Sequence, residues 1–369
     1  MKLLYITNQI CGSGGLERVL AIKTKFLIEN YGHEIDIITL NQESKTNFFD
    51  FSNQIKIHNI TANGHLFAQA KNYISGLRAL INNIKPDLIL VCDDGLKAFF
   101  IPTLLQKPCP IIYERHVSRN IMLNEKDSLL TTLKTHFYFS LMQILAKTFD
   151  KFVVLTNDNA TEWHTKNIEI IPNPLTFYPD ETSTLINKIV IAVGKQSYQK
   201  GYDRLLLSWQ IVHKENPDWV LKIIGKFDES QGLEKLAVSL QLGESVQFKN
   251  EDKNIIDRFL ESSIFVLSSR YEGFGMVIIE AMACGLPVIS YDCPCGPKEI
   301  IANNIDGLLI ENDNIDAFAE AINRLIKDEN LRHQLGSAAR ENVKRFTPEI
   351  VMKQWQKLFN ELNDKKSLN

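Results

Sequence analysis

Residues 264–290, IFVLSSRYEGFGMVIIEAMACGLPVIS, constrain the fold more than any other stretch of this chain. Ile264 to Leu267 is a short apolar run of the kind that forms a fully buried strand. The polar residues Ser268 to Glu272 end it. Gly273 and Gly275 flank Phe274 and open a helix expected to run to about Cys284. Gly285 stops that helix, and Pro287 follows at the distance where proline cannot continue one. Val288 and Ile289 then start a second buried strand. Strand, loop, helix and strand in this order form half of a parallel α/β layer. The loop lies on the carboxyl edge of the sheet, where open α/β sheets bind ligands.

The same grammar runs along the chain. Strands are expected at Lys2 to Thr7, HEIDIITL, Ile55 to Ile57, LILVC, PIIYERH and KFVVLT. Helices are expected over about Leu16 to Asn30, Gln69 to Ile84, Asp94 to Leu105 and residues 125–149. This alternation describes one doubly wound domain, residues 1–172. The proline-rich segment IPNPLTFYPDETS marks the boundary. A second alternation then begins with KIVIAVG and ends in helices over 315–345, giving a second domain at 173–345. Thr347-Pro348 opens a last amphipathic helix within 346–369, expected to pack back on the first domain. The expected fold class is α/β, with two facing Rossmann-like domains, a cleft between them and a C-terminal helix.

With 369 residues there is ample core for two domains. The net charge of -3 argues against a general nucleic-acid binder. Six scattered cysteines, with no second pair to complete a zinc site beside Cys293 and Cys295, read as reduced thiols of a cytosolic protein. The start MKLLYITNQI is too short and too polar for a signal peptide. No run approaches the ~18 apolar residues of a membrane span. The expected location is cytoplasmic, with peripheral contact at the inner face of the cytoplasmic membrane as a further reading.

Several constellations carry chemistry. Glu272 and Glu280 frame the glycine loop with seven residues between them. Backbone N–H groups over Gly273 to Met276 favour an anion, and a helix carboxylate accepts from sugar hydroxyls. Phosphate and polyol together suggest a nucleotide-sugar. The alternative is a plain helix entrance with a solvated Glu272 and a surface Glu280. In VGKQSYQKG, Lys195 and Lys200 bracket a loop at a sheet edge and suit a diphosphate, unless both are solvated loop lysines. The segment CGSGGLER is a poor dinucleotide fingerprint, since Glu17 stands at the third glycine position and Asp36 lies inside its strand. Gly14 and Gly15 read instead as letting the backbone approach a bound group. His116 ends a buried strand and is either structural or on the rim of the site, with Glu114 and Arg115 beside it. There is no D-x-D, and no histidine pair has metal spacing. Carboxylates to hold Mn²⁺ or Mg²⁺ on a diphosphate are therefore lacking, and fixed cations are expected to do that work without metal.

The order GGLER, YERH, VGKQSYQKG, EGFGMVIIEAMACGLPVIS and GPKEI…DGLL resembles the retaining glycosyltransferases of family 4, which have the GT-B fold. The resemblance spans nearly the whole chain. It implies that Glu272 contacts the donor sugar, Glu280 the nucleotide ribose, and Lys195 and Lys200 the diphosphate. It implies that His116 reaches the donor sugar near the reacting carbon, and that the backbone at Gly14 and Gly15 lies against the donor phosphates or the acceptor. Gly273, Phe274 and Gly275 complete the donor loop. Three positions depart from the pattern. Lys195 stands where arginine is usual, so a point charge replaces a bidentate grip. Gly225-Lys226-Phe227 lacks the common G-x-G, and Lys249-Asn250 follows VQF; both lie where the base should bind.

The expectation is an enzyme, a hexosyltransferase that uses a nucleoside-diphosphate sugar, UDP-linked by preference, with retention and no metal. His116, Lys200 and Glu272 are its expected catalytic groups. The acceptor is a saccharide or a lipid-linked saccharide, as in polysaccharide or lipopolysaccharide assembly. The second acceptor follows from residues 115–151, where Arg115, Arg119, Lys126, Lys134, Lys147 and Lys151 mix with Phe137, Tyr138, Phe139 and Leu141 in a pattern suited to an anionic membrane. The same stretch also reads as a core helix with solvated lysines. Two alternatives share the fold: a nucleotide-sugar epimerase, whose usual carboxylates are not evident, and a binding module without turnover.

Overall fold

A computed structural model describes residues 1–42, 44, 46–118 and 129–367. The chain divides into two compact units, residues 1–176 with 347–369, and residues 177–346.

The first unit is built on β1 (Lys2–Thr7), α1 (Gly15–Tyr31), β2 (Glu34–Leu40), β3 (Lys56–Ile60), α2 (Leu66–Ile84), β4 (Leu88–Cys92), α3 (Leu96–Phe99), α4 (Ile101–Leu105), β5 (Ile111–Glu114), α5 (Leu129–Ala146), β6 (Lys151–Val154), α6 (Asn157–Thr161) and β7 (Ile168–Ile170). Its strands pair in parallel in the order β3-β2-β1-β4-β5-β6-β7. The central strands are buried on both faces, as crossover helices require. Leu88 to Cys92, for example, are all buried.

Two differences from the sequence expectation have local causes. The helix expected over Asp94 to Leu105 is two short ones. Pro102 cannot donate to the turn before it, so it sits in the first turn of α4 and the chain restarts there. Strand β7 was not anticipated: its three residues, Ile168-Glu169-Ile170, are too few to show an alternation, and pairing with β6 at the sheet edge makes it a strand.

The second unit holds β8 (Ile189–Val193), α7 (Tyr202–Glu215), β9 (Val220–Ile224), α8 (Leu233–Ser239), β10 (Val246–Lys249), α9 (Ile255–Leu260), β11 (Ile264–Leu267), α10 (Met276–Ala283), β12 (Val288–Tyr291), α11 (Pro297–Ile300), β13 (Gly307–Ile310), α12 (Ile315–Lys327) and α13 (Glu329–Asn342). Its parallel sheet runs β10-β9-β8-β11-β12-β13. The strand order turns at β8 and β11, and the carboxyl ends of these two strands carry the lysine loop and the glutamate loop.

The last helix, α14 (Pro348–Ser367), belongs to the first unit. Its apolar stripe, Val351, Met352, Trp355, Leu358, Phe359 and Leu362, is buried with Leu20, Leu27 and Ile28 of α1. Each such side chain contributes roughly 1.5–3 kcal/mol on burial, so this helix is an integral layer of that unit. Among the described residues no helix is long and apolar enough to cross a membrane.

Candidate functional site

In the second unit, the loop after β8 and the loop after β11 are stitched together. Arg204 of α7 is buried, and its Nη2 donates to the Ser268 carbonyl at 2.7 Å. The Ser268 hydroxyl donates to the Lys200 carbonyl at 2.9 Å. Arg270 grips Asp203 with two N–H groups at 2.9 and 2.7 Å, a bidentate pair that fixes both distance and plane. Gly201 makes the corner after Lys200 in the left-handed region, φ 60°, and a Cβ there would stand 2.2 Å from the Ser268 carbonyl oxygen. Only glycine fits so close an approach. Arg204, Arg270 and Asp203 were not singled out in the sequence, because a surface charge and a structural one look alike there.

This scaffold delivers two of the expected catalytic residues to one point. Lys200 Nζ lies 2.7 Å from Glu272 Oε1, with 16% and 7% of the two side chains exposed. The Ser269 hydroxyl donates to the same Oε1 at 2.6 Å. The Glu272 N–H is tied to the Pro294 carbonyl at 3.0 Å, so backbone and carboxylate are both held. The solvated reading of Glu272 is thereby corrected: it is buried and paired. Lys195 is exposed at the start of the lysine loop. Gly273 is half-buried. Phe274 turns its ring inward, edge-on to Phe346 at 5.5 Å between centroids, so only its backbone is available to a ligand. Gly275 caps α10 with φ 98°, and a Cβ there would meet Ile278 Cδ1 at 2.9 Å. Glu280 is fully buried on α10, which overturns its surface reading. A carboxylate so enclosed must be met by partners rather than by bulk water.

In the first unit, His116 has 5% of its side chain exposed, and its Nε2 stands 3.3 Å from Glu114 Oε2. Its Nδ1 has no hydrogen-bond partner among the described residues. Glu114 is paired further in: Lys23 Nζ lies 2.6 Å from the same Oε2, with 1% and 2% of the two side chains exposed. The Lys23 ammonium also sits 3.5 Å above the Trp355 ring of α14, a favourable cation–π placement in a dry site. Burial alone would raise the Glu114 carboxyl. The Lys23 charge and the His116 contact outweigh it and hold the group at about 2. Sequence reasoning missed Lys23. The signal was its position on the buried stripe of α1, between Leu20 and Leu27, where a lysine needs a partner.

Cys92, Glu114 and His116 bring ligand-type atoms within 4.8 Å of one another. They are poorly suited to a metal. Burial, then the Glu114 charge, push the Cys92 thiol well up, and Lys23 already neutralises Glu114. Metal ligands have to be deprotonated and free to bind.

The glycine loop differs from its expected role. The space beside Gly12 and Gly14 is filled by Glu17 of the same loop: a Cβ would stand 2.5 Å from Glu17 Oε1 at Gly12 and 2.6 Å from Glu17 Oε2 at Gly14. Beside Gly15 nothing lies within 4 Å. So Gly14 makes room for an internal carboxylate, and Gly15 alone leaves open backbone. Burial pushes the Glu17 carboxyl up, against the opposing pull of its own backbone N–H.

The basic stretch 115–151 is only partly a surface. Arg115 and Phe139 are buried, and Lys151 pairs with Glu169 at 2.7 Å. Arg119 and Lys126 lie outside the described residues. Lys134 and Lys147 are exposed, as are Leu133, Phe137 and Ile144 on α5.

Comparison with known proteins agrees with this architecture. Residues 180–342 match the family model described as glycosyl transferases group 1. An uncharacterized glycosyltransferase of Haemophilus influenzae is 30% identical over 363 residues, 96% of this chain and 99% of that protein. The amylovoran biosynthesis glycosyltransferase AmsD of Erwinia amylovora is 28% identical, covering 97% of this chain and 99% of its own. A Campylobacter jejuni α-1,4-N-acetyl-D-galactosaminyltransferase, named for a GalNAc-containing diNAcBac-PP-undecaprenol, is 23% identical and covers 99% of both chains. Among solved structures, a mutant of S. aureus TarM with UDP, fondaparinux and α-GlcNAc-glycerol superimposes with a TM-score of 0.79 at 18% identity, covering 98% of this chain and 100% of that one. That likeness is one of fold, and the fold is GT-B.

Proposed function

The chain belongs to the group 1 glycosyltransferases, and we propose that within this family it transfers a hexose from a UDP-linked donor to a saccharide or lipid-linked saccharide, with retention and without a metal ion. The observation that carries this reading is the Lys200–Glu272 pair at 2.7 Å on the carboxyl edge of the second sheet. An ammonium there suits the donor's diphosphate. A carboxylate held by Ser269 suits hydroxyls of the transferred sugar. Glu280 is assigned to the ribose and Lys195 to the outer phosphate, with backbone N–H groups at Gly273 to Gly275 beside them. His116 and the open backbone at Gly15 are assigned to the donor, whereas the space beside Gly14 is taken by Glu17.

The chemistry asks little covalent work of the protein. The bond from the anomeric carbon to the diphosphate oxygen breaks as the acceptor hydroxyl adds on the same face. The acceptor's proton passes to the departing diphosphate oxygen. Negative charge grows on that oxygen, and a preorganised cation such as Lys200 stabilises it more in the transition state than before it. Positioning supplies the rest. A fixed ammonium in this role supports the reading without metal.

The lipid-linked acceptor is supported by α5. Its exposed residues include Leu133, Phe137 and Ile144, and its sequence, LLTTLKTHFYFSLMQILA, contains no acidic residue. Such a face suits the inner, anionic surface of the cytoplasmic membrane, where assembly of surface polysaccharide or lipopolysaccharide uses such acceptors.

Thermal shift with UDP, GDP, ADP and NAD, each with and without EDTA, tests the donor. Stabilisation by UDP alone, unchanged by EDTA, is expected. GDP or ADP selectivity would replace the donor base, and stabilisation by NAD alone would overturn the reading.

A further inference from the structure

His116 follows β5 on a backbone that is fixed on both sides. Its own N–H reaches Asp94 Oδ1 at 3.4 Å, Arg115 Nη1 donates to the Asp94 carbonyl at 3.0 Å, and Arg115 Nε donates to the Val117 carbonyl at 3.0 Å. The chain therefore aims the ring, and Glu114 Oε2 stands 3.3 Å from its Nε2. An ionised carboxylate can only accept, so the ring nitrogen that faces it has to carry the proton. The contact is looser than a full hydrogen bond, and catalytic hydrogen bonds often tighten only in the reacting complex.

The charges at this point balance without a second cation. Lys23 Nζ lies 2.6 Å from the same Oε2, and both side chains of that pair are enclosed. An imidazolium would place two cations on one carboxylate oxygen in a dry site. The other acidic groups near the ring do not call for one. Asp94 is met by Arg115 Nη1 at 3.4 Å, burial keeps the Cys92 thiol protonated, and burial pushes the Glu17 carboxyl up. With the proton on Nε2, the other ring nitrogen keeps its lone pair. That nitrogen, Nδ1, is buried and has no hydrogen-bond partner among the described residues. A buried acceptor without a partner is costly, and a hydroxyl of a bound sugar would satisfy it.

We propose that Lys23 and Glu114 are positioning residues for His116: they hold the imidazole neutral with its proton on Nε2, and so present Nδ1 as an acceptor to a sugar hydroxyl. The proposal rests on the assignment of His116 to the donor sugar above, and adds the groups that decide which nitrogen acts. Both are too enclosed to touch a substrate themselves. Glu114 does for His116 what the buried carboxylate does for the histidine of a Ser-His-Asp triad, choosing the tautomer and the plane of the ring. Lys23 cancels the charge of that carboxylate, so the ring is not drawn into the imidazolium form.

The test is long-range proton–nitrogen correlation NMR of the imidazole rings in the nitrogen-labelled full chain at neutral pH, with the His116 signals identified by their loss in His116→Gln. UDP affinity by calorimetry and UDP release from a UDP-hexose with acceptor are measured on the same proteins. A protonated Nε2 beside a bare Nδ1 is expected. The double variant Lys23→Met with Glu114→Gln leaves no buried charge, and its amide donates as well as accepts. It should show a mixture of the two tautomers, a kcat lower by about 10-fold or more, the usual cost of losing a group that orients a histidine from behind, and unchanged UDP affinity. Glu114→Asp keeps the charge on a shorter arm, and should keep the tautomer and lose less turnover. A proton on Nδ1 alone, or an imidazolium, in the unsubstituted protein would overturn the proposal. So would an unchanged His116 pattern or full turnover in the double variant. Absence of UDP-hexose turnover in the unsubstituted protein is a different failure, that of the transferase reading; the nitrogen pattern is read without donor and still decides the tautomer.

Discussion

Lys200 and Glu272 come from loops 72 residues apart and meet at 2.7 Å. Neither is free to move independently. The lysine is carried on a turn locked by Gly201, and the glutamate is held through its backbone by Pro294 and through its carboxylate by Ser269. The two loops are riveted together by Arg270 on Asp203 and by Arg204 on Ser268. The result is a cation and a carboxylate held side by side by the scaffold, the kind of preorganisation that lets fixed charges stabilise a developing charge.

Lys200→Ala should lower kcat about 10²-fold or more, the usual effect of removing one preorganised electrostatic donor. The readout is UDP release from a UDP-hexose in the presence of acceptor. Lys200→Arg keeps the charge but not the compact ammonium, and should fall between wild type and alanine. Full turnover in the alanine variant would remove Lys200 from the diphosphate.

Much of this arrangement was legible in the sequence, for a physical reason. Buried parallel strands and glycine-stopped helices impose local composition, so Ile264–Leu267, Gly275, Gly285 and Val288–Tyr291 could be placed from residue type alone. Lys200 and Glu272 could be placed on one sheet edge because they follow β8 and β11, neighbouring parallel strands, whereas the full burial of Glu280 on α10 was not legible. What stayed hidden was non-local. Nothing near Lys23 in the chain announces that its partner is Glu114, 91 residues on. Nothing in CGSGGLER says that Glu17 will fold back into the space its own glycines leave. The basic stretch misled because charge along a chain does not say which lysines and arginines turn inward, as Arg115 does.

The Lys23–Glu114 pair is fully enclosed, so removing one member leaves the other buried and uncompensated. Lys23→Met should destabilise the protein by about 3–5 kcal/mol. The double variant Lys23→Met with Glu114→Gln leaves no buried charge and should recover part of that loss. Urea denaturation followed by circular dichroism measures both. With Glu114→Gln measured beside them, a double-variant loss equal to the two single losses added together would mean that the pair carries no coupling.

The same carboxylate sets an acid limit. Glu114 sits at about 2 in the folded chain against an ordinary 4.5, so its contribution favours folding at all pH values above 4.5. That contribution is lost as pH falls from 4.5 towards 2, and is on the order of 3 kcal/mol at most. A plot of Tm against pH should therefore drop across this window. Glu114→Gln should start from a lower Tm and show a shallower drop. An identical slope in the two proteins would place the acid sensitivity elsewhere.

The exposed face of α5 makes the last prediction. Leu133, Phe137 and Ile144 are 66%, 66% and 63% exposed, and Lys134 and Lys147 are exposed beside them. Apolar side chains alone would favour any bilayer weakly. Lysines alone would favour an anionic surface only at low salt. Together they predict flotation with phosphatidylglycerol vesicles, little with phosphatidylcholine, and partial release by salt. Leu133→Glu with Phe137→Glu should abolish flotation. Both side chains face water, so stability should change by no more than about 0.5 kcal/mol each, and hexose transfer to a water-soluble acceptor should be unaffected. Wild-type protein that stays at the bottom of the gradient with anionic vesicles would leave α5 as an ordinary surface helix and the lipid-linked acceptor without its structural support.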